Sequence, residues 1–148
     1  MVHVLAPRPA NGKLPMFFNV DSSVGQNAQN SNPEDIMLVQ YIMRLTADMG
    51  VVNPVTAAFK KVSPTGRMDQ VTVDAIRACQ SGAKSAPDGR VSKATGYHYG
   101  AAFFTIVELN YNLRRRAQIS AKWPCLDQMP NCPPILAAAA RRALAGQV

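Results

Sequence analysis

The sequence predicts a mostly α protein, a small bundle of helices with irregular arms at both ends. Three observations lead to this prediction. Apolar residues recur at helical spacing in three separate segments, and a helix-capping residue (Asn32, Asp69 or Ser92) stands at or near the start of each. Proline, glycine, asparagine and serine are concentrated outside these segments, where they favour turns and extended chain.

The first helix is predicted over residues 33–49. Asn32 can accept hydrogen bonds from the free amides of the first turn, and Pro33 suits the first helical position. Glu34 and Asp35 place negative charge at the positive end of the helix dipole. The apolar face that follows is broad, so we expect other elements to cover it on two sides. Its members are Ile36, Leu38, Val39, Ile42, Met43, Leu45 and Met49.

Two further helices are predicted in the core. The second covers 69–81, where Asp69 can cap the start and Gly82 can end the helix. The third covers about 93–117 and ends in a basic run that suits the negative pole of the dipole. Its apolar face is spaced for one side of a helix. That face contains Tyr99, Phe103, Ile106, Asn110 and Leu113.

The two ends of the chain have a different character. Residues 1–31 show little periodicity and predict an extended arm, with one short strand at 16–20 ("MFFNV"). Residues 118–148 predict a proline-rich loop followed by an alanine-rich helix that begins at Pro134. The helical core domain is therefore predicted over 32–117.

The composition is that of a globular domain. Of 148 residues, 47% are apolar and 17% charged, and the formal net charge is +7. A basic surface can attract nucleic acid or an anionic polymer, and solubility alone explains an excess of this size at least as well. The sequence has no run that is long and apolar enough to span a membrane. Because prolines interrupt the N-terminal segment, we expect synthesis in the cytoplasm without a signal peptide.

Little in the sequence indicates catalysis, a metal or a cofactor. Cys79 and His98 could pair as nucleophile and base, but Cys79 lies on an apolar stripe, where a buried inert thiol is the better interpretation. Cys125 and Cys132 flank a proline-rich loop and could form a disulfide; in a cytoplasmic protein they would stay reduced. The cysteines lack close zinc-binding spacing. We predict no catalytic residues, no metal site and no cofactor.

One short pattern occurs twice. "GRMDQVT" at 66–72 and "GRVSKAT" at 89–95 share a glycine, an arginine, an apolar residue and a threonine in the same spacing. Each copy has a turn glycine and a capping residue, Asp69 or Ser92, ahead of its threonine. Physically, this is one way to begin a helix used twice, and two copies do not indicate a repeat protein.

Together with the first helix, the two copies resemble the peptidoglycan-binding-domain-like family over about residues 22–96. The matching positions follow the family's order of a capped first helix, a glycine turn, a second helix and a second glycine turn. They are Asn32, Pro33, Glu34, Asp35, Val39, Gln40, Gly66, Met68, Thr72, Ala75, Ile76, Gln80, Pro87, Asp88, Gly89, Val91 and Thr95. The resemblance implies a compact three-helix bundle.

The resemblance also implies a candidate site. A polar edge could hydrogen-bond sugar hydroxyls or peptide amides of the cell wall. The candidate residues are Asn32, Asp35, Gln40, Arg77 and Gln80. Each of them also has an ordinary structural explanation, as a helix cap or as a water-facing side chain, and taken singly that explanation is favoured.

From these features we expect a non-catalytic structural subunit with a peptidoglycan-binding-like module, in a phage virion, a tail or a related assembly. Residues 1–30 and 118–148 would contact neighbouring subunits, and peptidoglycan would be a further partner. The first alternative is a stand-alone cell-wall-binding module that works with a hydrolase. The second, less favoured, is a basic nucleic-acid-binding protein, which would lose affinity steeply as salt rises. No membrane partner is expected.

Overall fold

Six α-helices and three two-stranded antiparallel sheets make up the computed structural model over residues 1–146, the part of the chain that the structure describes. The helices are α1 (Pro33–Asp48), α2 (Pro54–Phe59), α3 (Gln70–Gly82), α4 (Thr105–Arg114), α5 (Ala117–Ser120) and α6 (Pro134–Ala145). The strands pair as β1 (His3–Leu5) with β2 (Phe17–Asn19), β3 (Val24–Gly25) with β4 (Arg90–Val91), and β5 (His98–Tyr99) with β6 (Ala102–Phe103). The fold is therefore helix-rich, with small sheets that were mostly not predicted.

Helix α1 lies at the centre of the core. Asn32 caps it, accepting a 2.9 Å hydrogen bond from the amide of Glu34, as its sequence predicts. Almost every side chain from Asp35 to Ala47 is buried, including those on the side opposite the predicted apolar face. The helix contacts α2, α4, α6 and β3, so its surroundings exceed the two-sided cover that we expected. Helices α3 and α6 also lie where the sequence predicts them.

The N-terminal segment is extended, but it is part of the core rather than a free arm. Strand β2 forms within the predicted 16–20 segment, and Phe17 and Phe18 are fully buried. Asn110 on α4 holds β2 through both backbone groups of Phe18: its Oδ1 accepts from the amide and its Nδ2 donates to the carbonyl, each at 2.9 Å. The segment is extended because its backbone pairs with a strand and a side chain, and it is ordered because its apolar residues fill the core.

The C-terminal segment is packed on the same core. Leu136 and Ala140 of α6 are fully buried, and α6 contacts both α1 and β1. The hydroxyl of Tyr41 on α1 donates a 2.6 Å hydrogen bond to the carbonyl of Pro130 in the preceding loop. Arg142 forms a 2.6 Å ion pair with Glu34 at the start of α1. The residues predicted as two terminal arms thus share one hydrophobic core with the predicted central domain.

The third predicted helix is wrong over its first half. Residues 98–103 form the β5–β6 hairpin, and α4 begins only at Thr105, without a side-chain cap. Ser92 therefore does not cap a third helix, and Thr95 lies outside any helix. Gly96 and Gly100 each disfavour a helix interior, and Tyr97 fastens the chain elsewhere, donating a 2.7 Å hydrogen bond from its hydroxyl to the carbonyl of Leu14. Apolar spacing alone did not reveal this competition.

Within residues 1–146, none of the helices has the length and the hydrophobicity that a membrane span requires.

The contact between Asn110 and Phe18 predicts a stability effect. We expect Asn110→Leu to lower the free energy of unfolding by about 3 kcal/mol, because it leaves the buried amide and carbonyl of Phe18 unpaired. Urea unfolding followed by circular dichroism measures this. The control is Asn112→Leu on the same helix, where a half-buried side chain has one long hydrogen bond of 3.4 Å. Equal losses in the two variants would contradict the role given to Asn110.

Candidate functional site

The predicted polar edge does not form an open binding surface. Asn32 is occupied as the cap of α1. Asp35 is completely buried, and its Oδ2 accepts from the side chain of Asn30 at 2.8 Å and from the Met1 amino group at 3.3 Å. Gln40 and Gln80 are also buried. Burial thus removes three of the five predicted residues from any surface that a glycan could reach.

Arg77, the fifth predicted residue, is half-buried on α3. Its guanidinium lies against Gly89, so that a side chain placed on that glycine would meet it. The structure therefore separates the five residues by role. One is a helix cap, one packs at a turn, and three lie inside the protein.

Gln40 and Gln80 have the same task at two different turns. Gln40 on α1 accepts a 2.9 Å hydrogen bond from the amide of Gly66 and donates one of 2.8 Å to the carbonyl of Arg67. Gln80 on α3 accepts from the amide of Gly89 at 2.9 Å and donates to the carbonyl of Arg90 at 2.8 Å. The two copies of the Gly-Arg pattern are therefore two equivalent turns, each held by a glutamine from an earlier helix, α1 for the first and α3 for the second.

The two Gly-Arg turns are also alike in their glycines and in the threonines that the glutamines contact. Gly66 and Gly89 have positive φ angles of 78° and 73°, and an added Cβ would approach neighbouring side chains to 3.1 Å in both cases. Gln40 also donates to Thr72 Oγ1 at 3.1 Å, on the helix that follows the first turn. At the second turn, Gln80 donates to Thr105 Oγ1 at 3.2 Å. Thr105 at the start of α4 takes the place that the pattern assigned to Thr95, because the hairpin lies between the turn and the helix.

A group of aromatic side chains surrounds that hairpin. Tyr99 is 77% exposed, and its ring lies 5.8 Å from that of Phe104. Phe103 stacks with His98 at 4.6 Å and lies 6.4 Å from the ring of Tyr111 on α4. We call Tyr99, Phe103, Phe104 and Tyr111 the aromatic ridge. Tyr99 is exposed and the other three members are partly buried, so each ring has one part packed against the protein and another part in solvent.

Two clefts flank the aromatic ridge, and Phe103 lines both. The first cleft adjoins the second Gly-Arg turn, and its charged lining residues are Lys84, Asp88 and Arg90. The second cleft lies beside the N-terminal segment, where Lys13 and Tyr111 line it. A third cleft between α2, α3 and α4 has Glu108, Arg115 and Arg116 in its wall and lacks exposed rings. Sequence reasoning missed the ridge because it placed Tyr99 and Phe103 on the buried face of a helix.

The three cysteines are separate thiols in the structure, so the disulfide considered for Cys125 and Cys132 is not formed. Burial raises the pKa of the Cys79 thiol to about 12, and burial raises that of Cys132 to about 11. Both thiols are protonated at neutral pH and are therefore weak nucleophiles. Among residues 1–146, the structure has no group of three or more His, Cys, Asp or Glu residues that could hold a metal ion.

Compared with family models, with curated proteins and with solved structures, the chain matches none of them. Its own geometry therefore carries the argument for function.

The paired turns predict equal sensitivity of two distant glutamines. We expect Gln40→Leu and Gln80→Leu each to lower the free energy of unfolding by about 2–4 kcal/mol, because each change leaves a buried glycine amide without a partner. Urea unfolding measures the loss. Gln118→Leu, at an exposed position on α5, serves as the control and should stay within about 0.5 kcal/mol of the parent. Wild-type stability in either core variant would refute the shared role.

The raised thiol pKa values predict an order of alkylation. At pH 8, iodoacetamide should modify Cys79 only after denaturant is added, because the folded thiol is buried and protonated. Mass spectrometry of peptides from native and unfolded protein measures the labelling of each cysteine. Cys125 is the internal control, since it is partly exposed and should react in the folded protein. Rapid labelling of native Cys79, or a linked Cys125–Cys132 peptide, would contradict this description.

Proposed function

We propose that the chain is a non-catalytic structural subunit built on a peptidoglycan-binding-like core, in a phage particle, a tail or a related assembly. The observation that carries the proposal is the pair of glutamine-held Gly-Arg turns, at 66–67 and 89–90. The first turn brings Gln40 on α1 to Thr72 on α3, and the second brings Gln80 on α3 to Thr105 on α4. They account physically for Gln40, Gln80, Gly66, Gly89 and Thr72 of the family pattern, whereas Thr105 takes the place of Thr95.

A non-catalytic role agrees with the chemistry of the interior. The buried thiol of Cys79 is protonated at neutral pH. The Oδ2 atom of buried Asp35 accepts hydrogen bonds from the Met1 amino group, the amide of Asp21 and the side chain of Asn30, so this oxygen is occupied by folding contacts. Glu108 faces the third cleft beside Arg115 and Arg116, without a second carboxylate in that lining. A glycosidase mechanism with paired carboxylates would have no second group there.

The surface that meets neighbouring subunits is narrower than the sequence indicates. Residues 1–30 and 118–146 contribute many side chains to the common core, so we propose that only their outer faces contact neighbours. The β5–β6 hairpin adds a further exposed surface, because Tyr99 projects from it. A stand-alone wall-binding module remains the second candidate. The aromatic ridge favours it, since exposed Tyr99 stands beside clefts that combine aromatic rings with polar groups, which can contact both the apolar face and the hydroxyls of a sugar.

The nucleic-acid alternative receives less support. Arg142 pairs with Glu34 at 2.6 Å, and Arg141 lies 3.7 Å from Asp127. Arg114 donates to the carbonyl of Lys13, and the guanidinium of Arg115 lies 5.9 Å from the ring centre of Tyr111. Four of the basic side chains in the last third of the chain thus have contacts within the protein. To neutralise a phosphate, these arginines would have to give up or share those contacts.

Co-sedimentation with purified peptidoglycan sacculi tests the wall-binding part of the proposal. We expect retention above that on cellulose, with only a shallow decrease between 50 and 200 mM salt, because a mostly neutral strand with few carboxylates makes few charge contacts. An unrelated basic protein of similar size controls for charge. Retention equal to that on cellulose would refute wall binding, and binding of an oligonucleotide that falls steeply over the same salt range would favour the nucleic-acid alternative. Light scattering of the same preparation separates an assembling subunit from a monomeric wall-binding module.

A further inference from the structure

Phe103, Phe104 and Tyr111 of the aromatic ridge pack partly against the core, and Tyr99 extends beyond it into solvent. The hairpin that carries Tyr99 and Phe103 is fixed at its base by Tyr97, which donates to the carbonyl of Leu14 and accepts from the amide of Asn11 at 3.1 Å. The ring of Tyr97 also packs 5.8 Å from that of buried Phe17. The base is therefore rigid, whereas Tyr99 near the tip buries little of its own surface. An exposed ring on an anchored hairpin favours ligand binding, because the hairpin loses little conformational entropy when the ligand binds.

The placement of the rings indicates a long ligand. Phe103 lines both the first cleft and the second cleft. The two clefts are therefore adjacent, with the ring of Phe103 between them. Tyr99 and Phe104 belong to the first cleft, and Tyr111 belongs to the second. A small molecule would occupy one cleft. A linear polymer could lie in both and cross Phe103, with successive units on successive rings.

The charges beside the rings are sparse and mainly positive. Lys84 and Arg90 line the first cleft, Lys13 lines the second, and the guanidinium of Arg115 lies 5.9 Å from the ring centre of Tyr111. The carboxylate of Asp88 accepts from the side chain of Gln80 and from the amide of Arg90, both at 2.9 Å, so it is engaged in holding the turn. The pattern suits a polymer with occasional negative groups along a mostly neutral chain.

We propose that the aromatic ridge and its two clefts bind a linear glycan strand that carries carboxylates. The apolar faces of the sugar rings would pack on Tyr99, Phe103 and Tyr111, and Lys84, Arg90 and Lys13 would attract the carboxylates. This inference rests on the proposed function and deepens it. It moves the ligand from the predicted polar edge, which is buried, to the hairpin.

A single-stranded nucleic acid could also stack on exposed rings. The small number of cations beside the rings disfavours this ligand. Every nucleotide brings a phosphate, so a strand across both clefts would need a continuous basic groove. The described lining supplies three cations over two clefts, together with Asp88. A glycan with a carboxylate on alternate sugars matches that density better.

The test uses the full chain and three soluble probes in isothermal titration calorimetry. The probes are peptide-free strands of alternating N-acetylglucosamine and N-acetylmuramic acid, neutral N-acetylglucosamine hexamer, and a 20-nucleotide oligo-dT. We expect the acidic strands to bind tightest. Tyr99→Ala should weaken them about tenfold, the loss of one aromatic contact, while Tyr99→Trp should retain them. Lys13→Ala with Lys84→Ala should weaken the acidic strands and leave the neutral hexamer unchanged.

Two controls separate binding from folding. Tyr99 is 77% exposed, so Tyr99→Ala should unfold at the same temperature as the parent. Val52→Ala changes another highly exposed apolar residue, outside both clefts, and should bind as the parent does. If the melting temperature of Tyr99→Ala differs from that of the parent, the double variant Lys13→Ala with Lys84→Ala decides the question, because both of its side chains are on the surface.

The outcomes distinguish this inference from the proposed function. Retention of the parent on sacculi together with unchanged retention of Tyr99→Ala would overturn the ridge as the site and leave wall binding intact. Tyr99-dependent binding of the acidic strands without retention on sacculi would overturn wall binding and leave the ridge as a glycan site. Absence of both would overturn both. Tighter, Tyr99-dependent binding of oligo-dT would replace the glycan with nucleic acid and overturn the inference.

Discussion

Buried carboxamide side chains hold this fold together. Each of them pairs with a backbone amide and a backbone carbonyl outside the helices, and each is at most 3% exposed. They are Asn19, Gln40, Gln80 and Asn110. Long stretches of the chain lie in the core without belonging to a helix or a large sheet, and their buried polar groups need partners inside the protein. A carboxamide is suited to this task because it offers one acceptor and two donors in one plane.

The positions of these side chains explain how the helices and the irregular segments become one core. Gln40 and Gln80 join helices to the turns that follow them, and Asn110 joins α4 to β2, 92 residues earlier. Asn19 joins β2 to the chain after β4 through the backbone of Ala94, with hydrogen bonds of 2.8 and 3.0 Å. Two of these four contacts close over 75 residues or more. The predicted terminal arm is for this reason an internal part of the structure.

The pairing of buried carboxamides with backbone groups also separates residues that stabilise the fold from residues that remain available to a ligand. Gln40 and Gln80, two of the five residues of the polar edge inferred from family resemblance, are committed to backbone groups, and buried Asp35 is bonded to Asn30 and to the Met1 amino group. The hairpin between the second turn and α4 is different. It is anchored through Tyr97, and beyond that anchor Tyr99 is exposed while Phe103 is only partly buried against the core. Our functional proposals therefore place recognition on an insertion between two structurally committed elements.

Local patterns in the sequence determined several parts of the fold. Capping by Asn32 and Asp69, proline at the first position of α6 and apolar periodicity correctly located α1, α3 and α6. The repeated Gly-Arg pattern correctly marked two turns. These features depend on residues a few positions apart, so a single sequence contains the necessary information.

Only the tertiary structure decided the rest. The sequence singled out Gln40 and Gln80, but their burial depends on turns 26 and 9 residues further along the chain. The spacing of Tyr99 and Phe103 is compatible with a helix face, and the contact of Tyr97 with Leu14, 83 residues away, accompanies a hairpin instead. Periodicity reports which residues share a face within one element. Whether that face is buried or open depends on which distant segments pack against it, and those contacts form only in the folded chain.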